Sequence, residues 1–202
     1  MPKHKCFISY HHANDQEYKN SLVEFNTKHD IFIDRSVDLG EIDDSLSDQR
    51  IREIIRDDYL QDTTVTILLV GTGTYGRKHI DWELYSSMID GSVNKKSGVL
   101  VVMLPTTGCT TYTAAHGDTE KTQVYPDETS WTTINNRAEY ERRYPNMPAR
   151  IIDNLLTHKS KISVVPWDKL TVFSLGLLIE LTHSDRQSAE YDFSRAMMRR
   201  NA

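Results

Sequence analysis

Glu83 lies in the run "RKHIDWELYSSM" (77–88), just past the apolar stretch "VTILLV" and the turn "GTGTYG". A carboxylate so placed has two readings. In the first turn of a helix it is favoured by the macrodipole and needs no other purpose. At the mouth of a cleft it is an electrostatic stabiliser for a developing positive charge. At about 100° per residue, Ile80, Leu84 and Met88 share one side of the helix, with Tyr85 and Ile89 extending it. Glu83, Ser86, Ser87 and Asp90 fall on the opposite, polar arc, so the wheel predicts a solvated side chain. Other polar side chains stand in comparable places. "SYHHANDQ", after the first apolar run, offers Ser9, Tyr10, His11 and His12; "DRSVDLGEIDD", after the second, offers Asp34 and Asp43. Arg77, Lys78, His79 and Trp82 flank Glu83 itself.

These loops matter only if elements bring them together. "KCFISY", "DIFID", "TVTILLV", "GVLVVML" and "KISVVPW" are short β-prone or near-continuous apolar runs, the last three suited to strands covered on both faces. Between them, "DQEYKNSLVEFNTKH" carries apolar residues at helical spacing (Tyr18, Leu22, Phe25). "SDQRIREIIRDDYL" does so at Ile51, Ile54, Ile55 and Tyr59, with Ser45 and Ser47 as capping candidates. Strands alternating with helices predict βαβ crossovers and a small doubly wound α/β domain with a parallel five-stranded sheet and helices on both faces. Such sheets bind ligands beyond the carboxyl ends of their strands, where chain order reverses. All three loops follow strands. The "GTGTYG" glycines follow a middle strand and lack the first-βα context of a dinucleotide fingerprint.

The chain reads as a single domain over 1–202. Residues 105–148 form a Thr-rich irregular insertion, in which "NRAEYERRY" suggests a short helix. Long irregular segments in compact domains are functional loops or decorations over a sheet edge, and both readings stand. After the fifth strand, "KLTVFSLGLLIELTHS" and "DRQSAEYDFSRAMMRR" predict two helices at about 168–200.

Composition narrows the function classes. Lys plus Arg total 24 against 29 Asp plus Glu, a net charge of −5 and a pI near 5.9. That balance argues against a dedicated nucleic-acid binder. Mean hydropathy is −0.54, no apolar stretch reaches the length of a membrane span, and "MPKHKCFISY" lacks the apolar core of a signal peptide. Cys6 and Cys109 lie far apart without metal-ligand spacing, which predicts reduced thiols in a cytoplasm and no metal.

"KCFISYHHANDQEY", "IFIDRSVDLGEIDDSL", "TTVTILLVGTGTYGRKHIDWELYSSM" and "SGVLVVMLP" follow one another as the boxes of a TIR domain do. The first strand ends in the Ser9–Tyr10 pair. "IFIDRSVDLGE" is similar to the second strand with its acidic turn and glycine, and Glu83 matches the glutamate on the third helix of NAD-cleaving members. The arrangement most resembles the TIR-like, ThsB-type proteins of bacterial Thoeris anti-phage defence, over about residues 4–104. Two positions depart. His79 stands where many TIR domains have a Trp four residues before the glutamate, and His11–His12 replace the basic residue often found after the Ser-Tyr pair.

The resemblance implies an NAD nucleosidase or cyclase that needs no cofactor, NAD being the substrate. Nicotinamide leaves a cationic pyridinium as a neutral molecule, so no proton is required. Glu83 would stabilise the oxocarbenium-like sugar and hold its ribose hydroxyls. Ser9, Tyr10, His11 and His12 would bind phosphate or ribose. Arg77 and Lys78 would attract the pyrophosphate or remain solvated; His79 would be a pocket wall or exposed helix start. Asp34 and Asp43 would hold a ribose or serve as turn residues. Tyr112, Tyr125, Trp131 and Tyr144 of the insertion would cover the cleft and stack on adenine or nicotinamide, favouring a cyclic or conjugated ADP-ribose product. That product would signal to a separate effector protein. A phage component as trigger and self-association when active complete the implied partners, with no nucleic acid and no membrane. A non-enzymatic TIR interaction module, a simple NAD hydrolase, or an enzyme acting on another nucleotide are the alternatives.

Overall fold

The computed structural model of the chain describes residues 2–36, 46–60, 62–91 and 95–202. Among these, the apolar runs form strands β1 (Lys5–Ser9), β2 (Ile33–Asp34), β3 (Val65–Val70), β4 (Gly98–Met103) and β5 (Ser163–Pro166). They make one all-parallel sheet in the order β2-β1-β3-β4-β5. The chain leaves β1 for β2 on one side and returns to β3 on the other. The switch point expected of a doubly wound sheet therefore lies between β1 and β3.

Helices α1 (His12–His29), α2 (Asp48–Ile54), α3 (Lys78–Met88), α4 (Asp118–Val124), α5 (Arg137–Arg143), α6 (Ala149–Leu156) and α7 (Val172–Asp185) cover the sheet. Alternating strand residues feed two layers, because successive side chains point to opposite faces. Val65, Ile67, Leu69, Leu100 and Val102 pack with Leu22 of α1 and Leu175 and Leu178 of α7. Leu68, Val70, Val99, Val101 and Met103 pack with Ile80, Leu84 and Met88 of α3 and Ile151, Ile152 and Leu155 of α6. Ser47 caps α2, accepting from the Arg50 N–H at 3.2 Å, and α2 runs into a π-helical turn at Ile55–Tyr59. Ser45, the other capping candidate, lies outside the described residues.

Two local expectations change. Residues 105–148 hold two short helices, α4 and α5, and α6 follows directly. The insertion does close a sheet edge. Thr113 exchanges two backbone hydrogen bonds with Val164 of β5, both 2.9 Å, in an antiparallel bridge. The second helix expected after α7 does not form: residues 189–202 contain no helix and run as a strap over α3 and α6. Tertiary partners take its backbone groups. Asn154 Oδ1 accepts from the Asp192 N–H, and Arg150 donates to the carbonyls of Arg195 and Ala196.

Candidate active site

Glu83 is buried, not solvated as its helical arc predicts, with 3% of its surface exposed. The reason is that α3 is covered nearly all round. Its supposed polar arc faces protein: Ser86 and Ser87 are fully buried, and Ser87 Oγ lies 2.8 Å from Thr66 Oγ1 of β3. On another side Trp82 packs with Phe7, Ile51, Ile55, Leu60 and Met197. The strap covers part of what remains, the Met198 N–H donating to Asp81 and its carbonyl accepting from Trp82.

The carboxylate meets the end of β1. Ser9 Oγ donates to Glu83 Oε2 at 2.5 Å, placing the pair at the β1/β3 switch point. Burial pushes the Glu83 carboxyl up to about 8, and the Ser9 hydroxyl pulls in the opposite direction. A neutral acid at rest is thus ready to ionise when a cation arrives beside it.

Above Glu83 opens a cleft of about 240 Å³, lined by Tyr10, His11, His12, Ala13, Arg77, His79, Ile80, Glu83 and Asn201. His11 is the N-cap of α1, and its Nδ1 accepts from the Asn14 N–H at 3.1 Å. That bond puts the proton of the neutral ring on Nε2. Burial, then the nearby Arg77 charge, holds His11 below the usual imidazole range, so the ring is neutral at pH 7. Its Nε2 is buried without a hydrogen-bond partner. Tyr10 is held at the wall by stacking on His12 (centroids 4.4 Å apart) and by a 2.8 Å bond to Gln16.

The sequence candidates divide accordingly. Tyr10, His11, His12, Arg77, His79 and Glu83 converge on the cleft, with Ser9 just beneath. Trp82 does not reach it: its ring is fully buried in the core and its indole N–H donates to the Met198 carbonyl at 2.7 Å. Asp34 is absent from the lining and forms a turn instead, accepting from the Ser36 N–H at 2.8 Å. Asp43 lies outside the described residues.

The aromatic cover is also placed elsewhere. Tyr112 and Tyr125 stack on one another beside β5, two strands from the switch point, with Trp131 edge-on to both, and Tyr144 meets Thr113 there. None lines the Glu83 cleft, because the Thr113–Val164 bridge ties the insertion to the opposite edge. Tyr112 and Trp131 border a separate cleft of about 470 Å³ with Thr110, Lys121, Glu128 and Arg143.

Two features escaped sequence reasoning. Asn201 reaches the cleft from the strap, and no local pattern announces it. Asp15, in the first turn of α1, is 1% exposed and packs against Gly71, where a Cβ would sit 2.2 Å from Oδ1. A glycine directly after β3 was its one available signal.

One described group has metal-ligand chemistry. His4, Glu180 and His183 hold their donor atoms within 4.8 Å of one another, at the amino end of β1, away from the cleft. The two imidazoles stack at 3.7 Å with planes 18° apart, and His4 Nε2 is engaged by Glu180 at 2.9 Å. Ring lone pairs lie in the ring planes, so stacked rings direct them side by side rather than at one ion.

A family model described as Thoeris protein ThsB, TIR-like domain, matches residues 7–108, half of the chain, from within β1 through β4 and including both Ser9 and Glu83. No curated protein matches the chain.

Proposed function

The chain belongs to the TIR-like family of Thoeris ThsB proteins, and on that footing we propose that it cleaves the nicotinamide glycosidic bond of NAD at Glu83. The observation that carries this reading is the buried Glu83 carboxyl, bonded to Ser9 at the switch point and facing a cleft. The bond between ribose C1 and the ring nitrogen breaks, its electron pair goes to nicotinamide, and the ribosyl group becomes oxocarbenium-like. An ionised Glu83 beside that carbon stabilises the charge. The incoming pyridinium cation favours the same ionised form. His11 Nε2–H and the Arg77 guanidinium supply donors for the pyrophosphate, with Ser9 as a positioning residue that aims the carboxylate.

The product in this reading is a cyclic or conjugated ADP-ribose that activates a separate effector in the cytoplasm, after a phage component triggers the protein. A module used only for docking would have no need of a carboxyl buried against its own solvation. Glu83→Gln keeps the shape and the Ser9 contact but removes the charge. It is expected to lower nicotinamide release about 10²–10³-fold, or about 2.7–4 kcal/mol. The assay uses purified protein with lysate of phage-infected cells, with circular dichroism run in parallel. Full release by folded Glu83→Gln protein would rule out the role.

A further inference from the structure

The amino end of α3 is closed by a residue from the far end of the described chain. Arg77 is the N-cap of α3 but gives no side-chain cap. Instead Asn201 Oδ1 accepts from the Lys78 N–H at 3.0 Å, and the Ala202 N–H donates to the Gly76 carbonyl at 2.9 Å. The fit is close: a Cβ on Gly76 would lie 2.7 Å from the Ala202 carbonyl oxygen. Helix amino ends attract anions, because their N–H groups are unpaired and the macrodipole is positive there. His11, whose Nε2 is buried without a partner, and Arg77 line the same cleft. Asn201 brings a neutral amide oxygen to a corner built for negative charge.

The strap is held unequally along its length. Residues 195–198 are anchored by several contacts. Met197 is buried, the Met198 N–H donates to Asp81 at 2.8 Å, its carbonyl accepts from Trp82, and Arg150 holds the Arg195 and Ala196 carbonyls. Asn201 and Ala202 are exposed and are held to α3 and its preceding turn by the two bonds above. This tip, residues 201–202, is thus held by fewer contacts than the anchor.

We infer that Asn201 is an internal occupant of the cleft's anion corner, which a pyrophosphate-bearing nucleotide must displace to bind. This rests on the NAD reading of the cleft and adds its regulation: the seated tip sets the resting affinity.

The test titrates ADP-ribose into wild-type protein, Asn201→Ala and Asn201→Asp by calorimetry, with the Trp82 indole N–H followed by NMR. Asn201→Ala weakens the occupant and is expected to tighten binding about 2–10-fold, the range of one net hydrogen bond. Asn201→Asp places a charge at the helix end, strengthening the occupant, and is expected to weaken binding. The Trp82 signal, which reports the anchor, should match in all three unliganded proteins. Equal affinities would overturn the inference while leaving the NAD reading intact. Weaker binding by Asn201→Ala would also overturn it, making Asn201 a ligand contact. No binding of ADP-ribose by any of the three would bring down the NAD reading, and the inference with it.

Discussion

Glu83 is the residue where stability and function pull apart. Its carboxyl is raised by burial to about 8 from an ordinary 4.5. Below pH 4.5 the group is protonated in folded and unfolded chains alike, and burying it carries no ionisation penalty. Between about 4.5 and 8 the unfolded chain releases the proton and the folded chain keeps it, so stability falls as pH rises; above 8 the loss is complete. Glu83→Gln removes this dependence. Denaturant titrations should therefore find the variant gaining on wild type as pH rises from about 5 to about 8.5, while the proposed activity is lowered. In the proposed reading activity runs the other way, since the ionised form is the one that would stabilise the sugar cation. In the free enzyme, kcat/KM for NAD should climb with pH and level off above about 8. Ser9 donates to the carboxylate and pulls its pKa down, so Ser9→Ala should move that inflection to higher pH. An unmoved inflection in Ser9→Ala would separate the titrating group from Glu83.

At the scale of elements, the interior strands were plain in the sequence because a strand buried on both faces is simply an apolar run. β3 and β4 are such runs, and they match the expected segments to within a residue. The helical wheel failed on α3 for the complementary reason. A wheel assumes one wet face, and α3 has the sheet on one side and the strap on another. Periodicity also wrote a helix into "DRQSAEYDFSRAMMRR", where side chains far away in sequence claim the backbone. The chief claimant is Arg150. Its guanidinium is fully buried, forks onto both Asp81 oxygens at 2.7 and 3.0 Å, holds two strap carbonyls, and lies 4.7 Å from the Tyr85 ring centre. Nothing in "MPARIID" distinguishes that arginine from a surface one. Removing one member of a buried pair strands the other, at a cost of about 3–5 kcal/mol. Arg150→Ala should lose that much in urea unfolding, and its Trp82 indole resonance should shift as the strap loosens. A loss under about 1 kcal/mol, no more than an exposed pair contributes, would mean that the strap is held by its other contacts.

In the proposed reading the whole molecule, taken as an isolated chain, is arrested. The Glu83 carboxyl is neutral at rest, Asn201 fills the anion corner, and the aromatic insertion lies at the β5 edge rather than over the cleft. Capture of the sugar cation by water is the default fate unless the site excludes water, which needs a more complete cover than one strap residue. In the proposed reading that cover comes from assembly or a bound trigger, completing the site as loop closure does in gated enzymes. A dilute monomer should then release almost no nicotinamide from NAD, while the assembled, triggered protein should turn over freely. Rapid turnover by a demonstrated monomer would show that the isolated chain is already a complete enzyme. The identity of the products discriminates more sharply than the rate. Adenine attacking C1 of the same molecule gives a species with the mass of ADP-ribose less one water, and an added nucleophile gives a conjugate of correspondingly greater mass. Mass spectrometry of the triggered reaction should show one of these as the major product, with free ADP-ribose minor. Free ADP-ribose dominating throughout infection would leave NAD depletion, not signalling, as the output.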